Sequence, residues 1–113
     1  MMPELQAAQG AAAYRRRLTP KQMEAEVFAR ATRAIRAAEG GGPLDRARAI
    51  ADNRRLWDAV HDLVVDPTNA LPAPLRAQIA SVARAVVREC DAKEPDLGFV
   101  AEINESFAAG LWR

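Results

Sequence analysis

Residues 53–72 read NRRLWDAVHDLVVDPTNALP and contain the clearest change of pattern in the chain. Their first part has apolar residues at the spacing of an amphipathic helix, whereas Asp66 begins a segment with two prolines that stop helical propagation. Asparagine is scarce in this sequence, and two of its three occurrences, Asn53 and Asn69, lie in this stretch. The stretch therefore predicts a helix that ends at Val65 and continues into a structured turn.

The turn contains its own stabilising groups. Asp66 and Asn69 are residue types whose side chains form hydrogen bonds with nearby backbone atoms in turns. Each proline also pushes the residue before it towards extended conformations. Leu71 is the large apolar residue of this segment, and we expect it to anchor the turn to the core.

Outside this stretch, glycine and proline divide the rest of the chain into helical segments. Alanine and arginine favour helix, and no segment alternates apolar and polar residues as a strand does. The sequence predicts an all-α fold, a single small bundle of four to five amphipathic helices with antiparallel neighbours, in one domain over residues 1–113. Residues 1–18 have the thinnest apolar stripe, which fits a loosely attached helix or one that docks only on a partner. The predicted helices span residues 3–16, 20–38, 44–65, 74–90 and 97–111.

Three polar residues, Glu24, Asn53 and Asn104, fall inside apolar helix faces. A buried amide without partners costs about 1–3 kcal/mol, so each asparagine is expected to satisfy either loop backbone or the other amide. We predict that Asn53 and Asn104 tie the bundle together; the alternative is that their stripe forms a groove for a partner. Glu24 is either neutralised by an arginine such as Arg54 or solvated near its helix start. The residues predicted to have structural polar roles are Glu24, Asn53, Asp66, Asn69 and Asn104.

Charge and cysteine content narrow the class of protein. The net charge is +1, with 16 basic and 15 acidic residues, and nonspecific nucleic-acid binding proteins usually carry a basic surplus. The single cysteine, Cys90, excludes an intramolecular disulfide and fits a reducing compartment. The sequence shows neither a signal-peptide pattern nor an apolar run long enough for a membrane span. We therefore expect a soluble, cytoplasmic protein without a membrane partner.

The sequence does not contain a recognisable catalytic constellation. His61 has neither a second ligand nor a nucleophile beside it, and no pair of histidines or cysteines has metal-ligand spacing. The glycines of residues 40–42 follow a helix and lack the lysine of a phosphate-binding loop. Cys90 lies on an apolar stripe, so it is interpreted as a small core residue. We expect no enzyme activity, no catalytic residue, no metal and no cofactor.

An ordered set of short motifs resembles the FlaF family of flagellar biosynthesis regulators over essentially the whole chain. The strongest segment is the string from Asn53 to Trp57, followed by Asp62, the turn of residues 66–72 and Leu75-Arg76. The C-terminal tail departs from the family pattern at residues 105–107. Further matching motifs are Ala13-Tyr14, Thr19-Pro20 with Glu24, Ile103-Asn104 and Gly110-Leu111.

The resemblance implies a non-enzymatic bacterial protein that binds flagellin before export. It also implies a chaperone-like role in flagellin synthesis and secretion, coupled to regulation of flagellin translation, with an FlbT-like regulator as a second partner. Helix-in-groove recognition of flagellin's helical ends agrees with an alanine-rich bundle. Trp57 has the spacing of a core residue, whereas Trp112 follows the last glycine and, if exposed, marks a docking point. The candidate partner-binding residues are Tyr14, Arg54, Arg55, Trp57 and Trp112.

Two other functions remain open at this stage. The first is an RNA-contacting translational activator of flagellin, for which the arginines of several helices supply phosphate contacts. Because the net charge is close to zero, we rank this hypothesis below flagellin binding. The second is a purely structural helical module that forms a homo-oligomer and buries its first helix or Trp112.

Overall fold

A computed structural model describes residues 20–110, with side chains described from residue 25 onwards. Within that range the chain forms four α-helices and no strand, which confirms the predicted all-α bundle. The predicted N-terminal helix, Tyr14 and Trp112 lie outside the described residues, and so does the side chain of Glu24. The helices are α1 Pro20–Glu39, α2 Pro43–Val65, α3 Ala73–Cys90 and α4 Leu97–Gly110.

Proline and glycine set the helix boundaries. Pro43 begins α2 directly after Gly42, and α3 also has a proline in its first turn. Proline fits there because the first backbone N–H groups of a helix have no intrahelical acceptor. The starts and ends of α1 to α3 agree with the predicted ones within one residue, because these local signals are strong.

Long-range contacts define how the helices pack. The α2–α3 pair is antiparallel, since Arg54 contacts Asp91 at one end while Arg76 reaches the carbonyl of Val64 at the other. Helix α4 packs mainly on α1, where Arg36 pairs with Glu105. Helix α3 packs mainly on α2 and only slightly on α4. Helix α3 therefore has much less cover than α2, which packs against both α1 and α3.

Three aromatic rings from α1, α2 and α4 form the centre of the core. The Phe28 and Trp57 ring centroids are 5.5 Å apart, and Phe107 lies 4.9 Å from Phe28 and 5.1 Å from Trp57. Edge-to-face and tilted contacts of this kind add about 0.5–1.5 kcal/mol to the burial of the rings. The rings thus join three of the four helices.

The incomplete cover of α3 corrects part of the predicted core. Helical spacing predicts an apolar face of α3 that includes Leu75, Val82 and Ala83; Ala83 is buried as predicted, whereas Leu75 and Val82 are exposed. Leu63 at the end of α2 is exposed as well. Periodicity identifies the apolar face of a helix, but a side chain is buried only where another element lies over it.

Candidate partner-binding site

A chain of polar side chains crosses the core beside the aromatic rings. The indole Nε1 of Trp57 donates a hydrogen bond of 2.8 Å to Oδ1 of Asn104. Nδ2 of Asn104 donates one of 2.6 Å to Oδ1 of Asn53, whose own Nδ2 lies 3.9 Å from the sulfur of Cys90. We call these four residues the polar relay, and they connect α2, α3 and α4.

The relay has a fixed direction. An indole N–H is a donor only, so the oxygen of Asn104 has to face Trp57 and its amide nitrogen has to face Asn53. Both asparagines are fully buried, and no buried side-chain nitrogen or oxygen in the described part of the chain lacks a partner. The predicted contact between the two amides is present.

Cys90 ends the relay as a buried thiol. Burial raises the pKa of Cys90, and the hydrogen bond from Asn53 opposes part of that rise. The thiol therefore stays protonated and behaves as a small core group. Its surroundings agree with the role expected from the apolar stripe.

Burial excludes one candidate contact residue. Trp57 is fully buried between α1 and α4, so the suggestion that it touches a partner is corrected by the structure. Its indole N–H is already satisfied by Asn104. Trp57 therefore stabilises the core and is not itself part of a binding surface.

The turn of residues 66–72 is closed by its own side chains, as the sequence predicts. Oδ1 of Asp66 accepts hydrogen bonds from the backbone N–H and the hydroxyl of Thr68, at 2.9 and 2.8 Å. These two bonds lower the pKa of Asp66, because they stabilise the charged carboxylate. The Asn69 side chain donates to the carbonyl of Leu63 and accepts from the N–H of Leu71.

Arg76 completes the turn from the first part of α3. Its Nε donates to the carbonyl oxygen of Leu71 at 3.1 Å, and its Nη1 reaches those of Val64 and Asp66 at 3.5 and 3.4 Å. A cation is favourable there because the last carbonyls of α2 carry the negative end of the helix dipole. The sequence indicated Arg76 only as part of the Leu75-Arg76 motif, and its position shortly after a proline-rich helix stop was the available signal for a role in the turn.

The turn leaves large apolar side chains in solvent. Leu71 is exposed, so the expectation that it anchors the turn in the core is wrong; hydrogen bonds hold the turn instead. Val65 and Leu63 precede the turn, Leu75 follows it, and all three are exposed. We call Leu63, Val65, Leu71 and Leu75 the apolar tip.

The two arginines proposed as partner contacts are both engaged within the protein. Nε of Arg54 lies 2.7 Å from Asp91, directly after α3, and its Nη1 lies 2.7 Å from Asp58 on α2. The Arg54 guanidinium lowers the pKa of Asp91. The side chain of Glu24 lies outside the described residues, so its neutralisation by Arg54 stays a prediction. Arg55 remains on the surface, where it pairs with Asp52.

Two further features of the described residues concern metal binding and membrane spans. Within residues 20–110, no group of three or more histidine, cysteine, aspartate or glutamate side chains is placed to hold a metal ion. None of the four helices is both long enough and apolar enough to span a membrane.

The fold and the turn describe a small helical-bundle protein with an exposed apolar tip on a hydrogen-bonded turn. A sequence model of one family, described as "Flagellar protein FlaF", matches residues 6–111, which is nearly the whole chain. The chain belongs to the FlaF family, and it is therefore a flagellar protein. No curated protein and no solved structure matches it.

Proposed function

We propose that this protein binds flagellin and promotes its synthesis and secretion as a chaperone-like, non-enzymatic regulator. Membership of the FlaF family supports the flagellar setting. The observation that carries the proposal is the apolar tip, where Leu63, Val65, Leu71 and Leu75 are all exposed within or next to one turn. Exposed apolar side chains grouped in this way are typical of protein–protein contact sites.

The rigidity of the turn makes the tip suitable for binding. Hydrogen bonds from Asn69 and Arg76 hold the backbone that presents Leu71 and Leu63. A preformed surface binds with a smaller loss of conformational freedom than a mobile loop. The helical ends of flagellin, unfolded before assembly, provide an apolar helix face that such a surface can receive. Ordering those ends on binding costs conformational entropy and so lowers the affinity. The lower affinity favours later release to export.

The setting of this activity follows from its substrate. A chaperone that binds flagellin before export acts in the cytoplasm, and an FlbT-like regulator is the second partner that we propose. In this arrangement, bound flagellin either covers or exposes the surface of this protein that the regulator contacts. The supply of flagellin is thereby connected to flagellin translation.

Direct RNA contact is the competing function. Ion pairs occupy several arginines that such a role would use: Arg33 with Glu26, Arg36 with Glu39 and Glu105, and Arg54 with Asp58 and Asp91. An ion-paired arginine releases fewer counterions when it meets a phosphate, because it already has a carboxylate beside it. A salt-dependent mobility shift of a flagellin leader transcript distinguishes this function from flagellin binding.

A third candidate is a homo-oligomeric structural module. Light scattering on the full chain and on a chain lacking residues 1–17 tests it. An assembly that disassembles on truncation supports the module, and a monomer in both cases excludes it.

Matched substitutions test flagellin binding at the tip. The double variant Leu63→Ser/Leu71→Ser removes tip residues that are 63% and 41% exposed. The control Leu44→Ser/Phe99→Ser removes side chains that are 61% and 40% exposed at other places. All four positions are at the surface, so both proteins should fold, which circular dichroism checks.

Calorimetric titration with monomeric flagellin gives the readout. We expect micromolar binding by the wild-type chain, a loss of about tenfold or more for the tip variant, and little change for the control. No binding by the wild-type chain overturns flagellin binding altogether. Equal losses in both variants would place the contact away from the tip.

A further inference from the structure

A shallow groove runs between α2 and α3, formed by residues other than the apolar tip. It has a volume of about 420 Å³, and Ala83 and Val87 contribute its apolar lining. Val87 is partly buried and gives the groove a small apolar floor, whereas Ala83 lies beneath the surface and is fully buried. We call it the arginine groove, and its lining residues are Asp58, His61, Ala83, Arg84, Val87, Arg88 and Asp91.

The groove lining carries two aspartates and two arginines, but among the described residues only the aspartates have ion-pair partners. Arg54 pairs with both of its acidic residues, Asp58 and Asp91. Arg84 contacts only the hydroxyl of Ser81 at 3.4 Å, and neither Arg84 nor Arg88 forms an ion pair with a described residue. One turn of helix separates these two arginines, so two guanidinium groups lie on the same side of the groove.

We infer that the arginine groove binds a carboxylate-bearing segment of flagellin, a conclusion that rests on the proposed function. A peptide with aspartate or glutamate side chains one helical turn apart matches the spacing of Arg84 and Arg88. Arginine is suited to this contact because its planar fork binds a carboxylate through two hydrogen bonds. Small apolar side chains of the same peptide fit against Val87.

The chemistry of the groove favours a peptide over RNA. A phosphate backbone is a continuous row of negative charge and needs a matching row of cations, whereas the groove offers two arginines, Arg84 and Arg88, beside an apolar side chain. A peptide presents isolated carboxylates between apolar groups, which agrees with two arginines beside an apolar floor. The groove and the apolar tip are both on the α2–α3 pair, so one flagellin segment of sufficient length contacts both.

A charge-reversal pair tests the groove. The variant Arg84→Glu/Arg88→Glu reverses the two groove arginines. The control Arg30→Glu/Arg48→Glu reverses two exposed arginines on α1 and α2 that lie outside the groove, with the same change in net charge. Unchanged circular dichroism and thermal midpoints, compared with the wild-type chain, show that each variant is folded.

Flagellin titrations at 50 and 500 mM salt then give the result. We expect the groove variant to lose about tenfold or more in affinity at low salt, the control to change by less than about threefold, and the difference to shrink at high salt. The conservative variant Arg84→Lys/Arg88→Lys should keep part of the affinity.

Each other outcome overturns the inference in a distinguishable way. If the wild-type chain binds flagellin and the groove and control variants bind it equally, flagellin binding stands and the groove assignment is wrong. If the wild-type chain does not bind flagellin, the proposed function fails, and the groove assignment fails with it. If the groove variant loses affinity for a flagellin leader transcript but not for flagellin, the groove binds RNA instead.

Discussion

Nδ2 of Asn104 donates a hydrogen bond of 2.6 Å to Oδ1 of Asn53, across 51 residues of sequence, in a fully buried site. Asn104 also accepts the indole N–H of Trp57, so its amide uses donor and acceptor at once. Because the site excludes water, loss of this amide leaves two polar groups without partners.

Replacing Asn104 with alanine should lower the free energy of unfolding by about 3 kcal/mol. The change orphans the indole N–H of Trp57 and the amide oxygen of Asn53, and each orphaned group costs about 1–3 kcal/mol. Equilibrium unfolding in urea measures it. The control Ser106→Ala, at an exposed position two residues away, should stay within about 0.5 kcal/mol of wild type. A cost below about 1 kcal/mol for Asn104→Ala would contradict the structural role of the relay.

The two relay asparagines should be energetically coupled. In a double-mutant cycle, Asn53→Ala and Asn104→Ala should each destabilise the protein, and the double variant should cost about 1–2 kcal/mol less than their sum. The reason is that the second substitution removes a partner that the first has already orphaned. The cycle Asn69→Ala with Asn104→Ala is the control, since Asn69 bonds only within the turn region. That pair should be additive within about 0.5 kcal/mol, and additivity in both cycles would argue against direct coupling.

Replacing Arg76 with methionine should loosen the turn without unfolding the bundle. The substitution keeps an unbranched apolar stem but removes the donors to the carbonyls of Leu71, Val64 and Asp66. A loss of about 1.5 kcal/mol in local stability corresponds to roughly tenfold faster amide exchange. Hydrogen exchange of the Asn69 and Leu71 N–H groups is the measurement. Arg76→Lys should give an intermediate rate, and unchanged exchange in both variants would show that Arg76 does not hold the turn.

The Asp66 carboxylate should make the turn sensitive to acid. Hydrogen bonds from Thr68 lower the folded-state pKa of Asp66 below its unfolded value. The resulting stabilisation is fully present above the unfolded pKa, about 3.9, and is lost as pH falls through the folded pKa. The difference in thermal midpoint between wild type and Asp66→Asn should therefore be constant near neutral pH and shrink below about pH 4.

The control for the acid series is Thr68→Val, which removes the hydroxyl donor but keeps the backbone N–H. It should reduce the pH-dependent part of the stability without abolishing it, because the backbone hydrogen bond to Asp66 remains. Other carboxylates titrate in the same range, but they contribute equally to each protein and cancel in the difference. A wild-type advantage over Asp66→Asn that persists unchanged at low pH would refute the assigned hydrogen bonds.

The candidate site divides into parts that the sequence predicts well and parts that it does not. The turn is predictable because Asp66 and Asn69 act on atoms at most six residues away. The choice of carboxylates for Arg54 is not, since Asp91 is 37 residues away and the sequence indicated only Glu24 as a possible partner. The residue type alone shows that a charged side chain such as Arg54 needs partners. Which carboxylates become those partners depends on how the helices pack.

The same difference explains the error at Leu71. Its apolar character and its place in a turn favour an anchor in the core, but α3 has little cover beyond α2, and the side chain remains in solvent. Trp57 shows the opposite outcome, because Phe28 and Phe107 both pack against it. An apolar residue thus becomes core or binding surface according to which neighbour reaches it.

The sequence by itself determined the all-α class, the helix boundaries marked by proline and glycine, the turn closed by Asp66 and Asn69, and the family. These features depend on backbone geometry and on groups close together along the chain. Tertiary structure alone decided that Asn53 bonds Asn104 rather than loop backbone, that Trp57 is sealed inside, and that Leu71 is exposed. Those outcomes depend on contacts between helices far apart in sequence, and helical periodicity specifies the direction of a side chain but not what lies opposite it.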